Sequence, residues 1–343
     1  MDIPLTFSPA QVKENSVNFL RRATIALALA AFFSTPLLAQ APYWSSPVQY
    51  PYAMGGDSGR ESPAATVFNG VVYMVFTSRT VASGSNYYMY EATSADGIHY
   101  STPTLINTAS GYALASSNPS LTVYNNVLYL AYNSGGTTNL VSSTNGTTWG
   151  TIGQVPTGVT ADYSPSIATD GSALYVGIRE HVASGVAPLV LCNYTITPGW
   201  NCTTTTSTGS NYGPNLTAFG PTIYMSFAWQ GNSHTLLYYT WSNGTLSTLQ
   251  TVTGATTSAA PGGAAVGGSN LYIGYRANDG GHGFYTTSTS GNGTWTPNYY
   301  SGYGIGGPPA MFSGLPGSSG VVFALYAAND SSHYMYATGA NMN

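Results

Sequence analysis

Six times along the chain a proline leads into a strand, a short turn follows, and a second strand centred on tyrosine or phenylalanine comes next. The prolines are Pro63, Pro119, Pro165, Pro214, Pro261 and Pro309. The aromatic strands behind them are expected over 71–76, 127–132, 173–178, 222–227, 270–275 and 321–326. A unit this short cannot bury its own apolar face, so a recurring period of this size predicts stacked or radially repeated units. A four-stranded propeller blade fits the length best.

Two further strands complete each unit, on either side of a turn dipeptide. These turns are Asp96-Gly97, Asn145-Gly146, Pro198-Gly199, Asn243-Gly244 and Asn292-Gly293. Asp-Gly and Asn-Gly supply the positive φ that two-residue hairpins need. Labelling the strands A to D from the axis outward, the sixth unit stops after its C strand, expected over 333–338, with no D strand behind it. A spare strand precedes the first unit, where Tyr43-Trp44-Ser45-Ser46-Pro47-Val48-Gln49 is similar to the D strand starting Thr148-Trp149-Gly150-Thr151. The expectation is an all-β, six-bladed propeller with four antiparallel strands per blade. The N-terminal strand completes its last blade and removes two exposed sheet edges.

Composition agrees. Of 343 residues only 5% are charged and 13% are aromatic, 28 of them tyrosine. Disordered chains are charged and poor in apolar residues, the reverse of this balance. Residues 1–41 read as an export signal: Arg21 and Arg22 precede the apolar run 23–33, and Ala39 and Ala41 offer small residues for cleavage. The paired arginines suit a twin-arginine route only weakly, and Asp2 and Glu14 disfavour mitochondrial targeting. Residues 42–343 then form one propeller domain. That part carries four arginines and no lysine, which excludes a basic footprint for nucleic acid, and no stretch in it is long enough to span a membrane. The two cysteines, Cys192 and Cys202, bracket a single hairpin and in an exported protein predict a disulfide contributing about 2–3 kcal/mol.

Ser94-Ala95-Asp96-Gly97-Ile98-His99-Tyr100 and Ser143-Thr144-Asn145-Gly146-Thr147-Thr148-Trp149 share the pattern Ser-x-[Asp/Asn]-Gly-x-x-aromatic, and Ser290-Gly291-Asn292-Gly293-Thr294-Trp295 is a near variant. These resemble degenerate Asp-box (BNR) repeats of the sialidase-like propellers, and repeats of secreted bacterial lectin-like propellers. The resemblance covers essentially all of 42–343 and is specific to architecture. It implies that the box is a structural hairpin on the face away from the ligand. Arg60-Glu61-Ser62-Pro63 is similar to the family's Arg-Ile-Pro element, though Glu61-Ser62 departs from it. The resemblance therefore offers Arg60 as a grip on a substrate carboxylate. By loop position it also offers Arg179 and Arg276, with Glu180 as partner of a nucleophilic tyrosine.

In a propeller the B–C and D–A connections share one face. Asp57, Arg60, Glu61, Arg79, Asp162, Arg179, Glu180, Arg276, Asp279 and Asp330 fall in or beside these connections, while Glu91, Asp96 and Asp170 do not. His181, His234, His282 and His333 join the first group. That face is the expected ligand face. Two of its loops repeat closely: Tyr275 to His282 carries Asn278 and Asp279, and Tyr326 to His333 carries Asn329 and Asp330. A looser copy ends at His234. Asn-Asp heads also form Asx turns, so a conformational role competes with a binding one. In the binding reading, Asp accepts and Asn or His donates hydrogen bonds to vicinal hydroxyls, and Trp229, Tyr275 and Tyr326 offer flat platforms to a sugar's C–H face. Two Asp/His ligands per loop make a poor metal site, and no metal or cofactor is expected. Three functions remain: a secreted carbohydrate-binding propeller with several equivalent sites, a sialidase-type glycosidase, or a protein-binding surface scaffold.

Overall fold

A computed structural model describes residues 44–53, 62–83, 86–108, 111–156, 158, 160–195, 199–231, 233–279, 282–288, 291, 294–329 and 334–341. The described chain is all β, arranged as six small antiparallel sheets plus a two-stranded ribbon. Blade two shows the plan: A is Ser120–Tyr124, B Val127–Ser134, C Thr137–Ser143 and D Gly150–Gln154, each paired with the next in chain order. The other blades repeat it with B strands Val71–Ser83, Leu174–Arg179, Thr222–Ala228, Asn270–Arg276 and Val321–Ala327. Most B strands run one or two residues past their expected ends, and that of blade one runs seven past. In blade six, C is Tyr334–Asn341 and the outermost strand is Val48–Ala53, with Val48 opposite Ala337 and Gln49 opposite Tyr336. Trp44 adds a bridge to Ala340.

Each hydrophobic cluster lies between neighbouring blades. One joins Val75 and Met89 of blade one to Leu128, Leu130 and Trp149 of blade two; another joins Tyr175 and Leu191 of blade three to Phe227 and Trp241 of blade four. One face of each sheet thus packs on the next blade, and burial of that apolar surface drives closure of the ring.

The turn chemistry divides in two. Asn243-Gly244 is a two-residue hairpin with φ of 50° and 76°, pairing Ser242 with Thr245. Asp96-Gly97 and Asn145-Gly146 differ from that expectation, because their D strands begin later and the wider loop is closed by side chains. Ser94 Oγ accepts from Gly97 N at 2.9 Å, and Asp96 Oδ1 accepts from Ile98 N and His99 N at 2.9 and 2.8 Å. Ser143 and Asn145 repeat this on Gly146 N, Thr147 N and Thr148 N. These backbone bonds, with the His99 ring, hold the Asp96 carboxyl well below the usual range against the opposing effect of burial. The glycine in each loop also lies under an aromatic ring of the preceding blade. A Cβ at Gly97 would meet the Phe323 ring at 2.7 Å, and one at Gly146 would meet the Tyr73 hydroxyl at 2.1 Å. These loops lock blade to blade.

Cys192 and Cys202 are joined as a disulfide and sit directly opposite each other in strands C and D of blade three. Asn292-Gly293 and Pro198 lie outside the described residues.

Candidate functional site

The axial end carrying the B–C and D–A connections gathers a polar and aromatic cluster on blades three and four. Strand B of blade three ends at Arg179, whose side chain is only 10% exposed. Its Nε donates to Ser210 O at 2.6 Å and its Nη1 to Asp162 Oδ2 at 2.5 Å. His181 Nδ1 reaches the same carboxylate oxygen at 3.1 Å. Asp162 and Tyr163 belong to the D–A connection entering blade three, which is fixed by the Ala161–Glu180 bridge and by His181 N donating to Thr160 O at 2.7 Å. The guanidinium of Arg179 lies over the Tyr163 ring, 4.8 Å from its centroid. Tyr163 O accepts a hydrogen bond from Asn133 Nδ2 of blade two.

Tyr212 holds the equivalent place in blade four. Its ring meets that of Tyr163 edge-on, 5.8 Å between centroids at 88°, and its hydroxyl donates to Ser258 O at 2.9 Å. Burial raises the Tyr212 pKa, the Tyr163 hydroxyl adds to the rise, and the positive charge of Arg276 opposes it. Arg276 closes strand B of blade five. Its Nε is buried with no hydrogen-bond partner among the described residues. Beside Tyr212, Trp229 is 43% exposed; its backbone pairs with Ser210, and its ring lies across Gly231, where a Cβ would come within 2.9 Å. An axial cavity of about 110 Å³ is lined by five of the strand-A prolines, by Pro308 and by residues flanking them.

The residues expected from sequence distribute unevenly. Arg179 and Arg276 end strand B of blades three and five, and Glu180 and Trp229 form bridges just beyond strand B of blades three and four. Tyr275 and Tyr326 do not serve as platforms: they are 2% and 0% exposed and belong to the cores between blades. The reason is parity, since side chains alternate across a strand and both rings point into the inter-blade layer. Burial and the Asp279 charge push the Tyr275 hydroxyl up to about 12. Asp279 turns back on its own loop, accepting from His282 N at 3.2 Å and pairing with the His282 ring at 2.9 Å, as an Asx-type turn does. Asn278 and Asn329 are exposed, and their backbone N–H groups donate to Thr256 O and Gly304 O. His234 adopts φ of 51° and gives its carbonyl to Thr257 N. Arg60, Asp330 and His333 lie outside the described residues, as does the side chain of Arg79. Among the described residues no group of three His, Cys, Asp or Glu converges as a metal site would.

Tyr163 and Tyr212 were missed from sequence, although a signal exists. Both stand two residues before a strand-A proline, where the equivalent positions hold Glu61, Ser117, Ala259 and Gly307. Comparing the six repeats at that register, instead of searching for charge, exposes them.

No protein family matches the chain by sequence, and no curated protein does. Among solved structures it is similar to an α-L-arabinanase of Penicillium chrysogenum complexed with arabinobiose, at 14% identity and TM-score 0.64, covering 88% of this chain and 99% of that one. It is similar to a Trypanosoma rangeli sialidase at 12% identity and TM-score 0.59, covering 88% of this chain and 60% of that one. It is also similar to the Aleuria aurantia lectin, in complex with α-methyl-L-fucoside, at 13% identity and TM-score 0.56, covering 83% and 96%. The fold is therefore the propeller of the sialidase-like and lectin-like proteins.

Proposed function

We propose that the protein is an exported carbohydrate-binding propeller whose ligand lies over blades three and four at the axial end. The supporting observation is the pair of exposed aromatic side chains, Tyr163 at 38% and Trp229 at 43%, next to the Asp162, Arg179 and His181 cluster. A sugar needs a flat apolar surface for its C–H face and fixed polar groups for its hydroxyls. Pockets of this kind combine aromatic walls with a few placed polar atoms. The disulfide accords with export, and among the described residues no helix is long and apolar enough to cross a membrane. Proteins of the same fold complexed with arabinobiose and with a fucoside add weight to this reading.

Binding is favoured over sialidase-type hydrolysis by the state of Arg179. Its Nε and one Nη1 hydrogen are held by Ser210 and Asp162, and the Asp162 carboxylate already beside it opposes the entry of a substrate carboxylate. A glycan array tests the reading. Trp229→Ala and Tyr163→Ala should each weaken binding about tenfold, a loss of about 1.4 kcal/mol, with thermal stability nearly unchanged. Turnover of a fluorogenic sialoside abolished by Arg60→Ala would favour the enzyme instead.

A further inference from the structure

The axial cavity is bounded by one repeated register. In blades two and three the residue after the strand-A proline is a serine that points its hydroxyl round the ring, whereas blades one, five and six hold Ala64, Gly262 and Ala310 there. Ser120 Oγ accepts Ile167 N of the next blade at 3.0 Å, and Ser166 Oγ accepts Leu216 N at 2.7 Å. In blade four this place belongs to Asn215, and there the pattern breaks. The matching amide in blade five, Gly263 N, donates instead to Pro309 O of blade six at 2.7 Å. Blade five approaches blade six closely because Gly262 and Gly263 lack a Cβ; one would sit 2.1 Å from Pro309 O and 2.3 Å from Met311 N. Asn215 is left 9% exposed, lining the cavity, with its Nδ2 buried and unpartnered. A buried amide donor without an acceptor is costly, and an incoming oxygen would recover that cost.

Three more features define what that oxygen belongs to. None of the described residues lining the cavity carries a charge, so an ionised group entering it would lose hydration without a partner. Further along strand A the cavity shares Ala65, Leu121, Ile167, Leu216, Ala264 and Met311 with a second axial cavity. A cavity of about 110 Å³ has no room for a continuous glycan chain, so only an end can enter it. The register two residues before the strand-A prolines is lopsided: it holds Tyr163 and Tyr212 in the neighbouring blades three and four, and Glu61, Ser117, Ala259 and Gly307 in the others. That asymmetry leaves one aromatic wall, not a set of equivalent pockets.

We infer that this throat is the deep end of a single off-centre site for the uncharged terminal residue of a glycan chain. The sugar ring lies against Tyr163 and Tyr212, and one of its hydroxyl or carbonyl oxygens accepts from Asn215 Nδ2. The inference rests on the carbohydrate reading above and deepens it: chain ends are bound, internal segments are not, and one chain is held per protein.

The test uses the full-length protein on an array of glycans attached through their reducing ends, read before and after exoglycosidase removal of the terminal residue. Trimming should abolish binding, and Asn215→Ala should weaken it about tenfold with an unchanged melting temperature. If Asn215→Ala fails to fold, Asn215→Ser, which restores the residue type of blades two and three, should show the same loss. Titration calorimetry with the soluble form of the best-bound array glycan should give one site per chain. Binding that survives trimming, ignores both Asn215 variants, or saturates at more than one site overturns the inference. If Trp229→Ala still weakens that binding, the carbohydrate reading survives alone. A wild-type protein that binds no array glycan overturns both.

Discussion

Raising the pH from 5 to 8 is expected to destabilise the protein by about 2.5 kcal/mol, through one residue. Glu91 lies on strand C of blade one, 7% exposed, against blade two. Burial pushes its pKa up to about 7, although the Trp149 indole, donating at 3.0 Å, and Thr104 both favour the ionised form. The nearby Tyr73 hydroxyl has its own pKa raised, by burial and by Glu91. In the unfolded chain this carboxyl ionises near 4.5, so between that pH and 7 the folded state binds the extra proton. Stability is therefore complete below 4.5 and falls as pH rises through 7. A shift of this size converts to about 3 kcal/mol. Asp96 and Asp170, whose pKa values are lowered, act in the opposite sense and only at acid pH. Glu91→Gln keeps an acceptor for Trp149 and removes the charge. Denaturant unfolding at pH 5 and pH 8 should show the slope in the wild type and its absence in the variant. Equal slopes would mean that the carboxylate is hydrated in place.

Asp162→Ala is expected to cost about 3–5 kcal/mol, far more than an exposed ion pair would. The change leaves the buried Arg179 guanidinium with the Ser210 carbonyl and no counter-charge. The double variant Asp162→Ala with Arg179→Met should recover most of the loss, because an apolar replacement of a buried pair is often neutral. Urea midpoints of the two single variants and the double separate these terms. A cost below about 1 kcal/mol for Asp162→Ala would place the pair among solvated surface contacts.

The architecture was legible because it is written in spacing. The six prolines mark strand A, the aromatic strands mark B, and the missing sixth D strand has its counterpart in Val48–Ala53 against Tyr334–Asn341. Asp96 and Asn145 were readable as turn residues, because a Ser two positions earlier supplies the hydroxyl that closes the loop. The site was harder. Charge and recurrence drew attention to Asp279 and His282, which satisfy each other locally. Tyr275 and Tyr326 sit beside polar loops in sequence yet face the core, since burial depends on strand parity and not on neighbours in the chain. Asp162 was on the expected ligand face, but the other residues of the proposed site, Tyr163, Tyr212 and Asn215, are departures from the repeat. A period reveals what is shared among blades, whereas a single ligand site arises where one or two blades depart from it.

The most direct measurement is a crystal structure of the wild-type protein soaked with the array glycan it binds best. The account predicts one sugar chain at the axial end of blades three and four. Its terminal ring should lie against Tyr163 and Tyr212, with an oxygen within hydrogen-bond distance of Asn215 Nδ2. Sugar seated on the opposite face, among the loops of Asp96 and Asn145, or spread over several blade edges would contradict it.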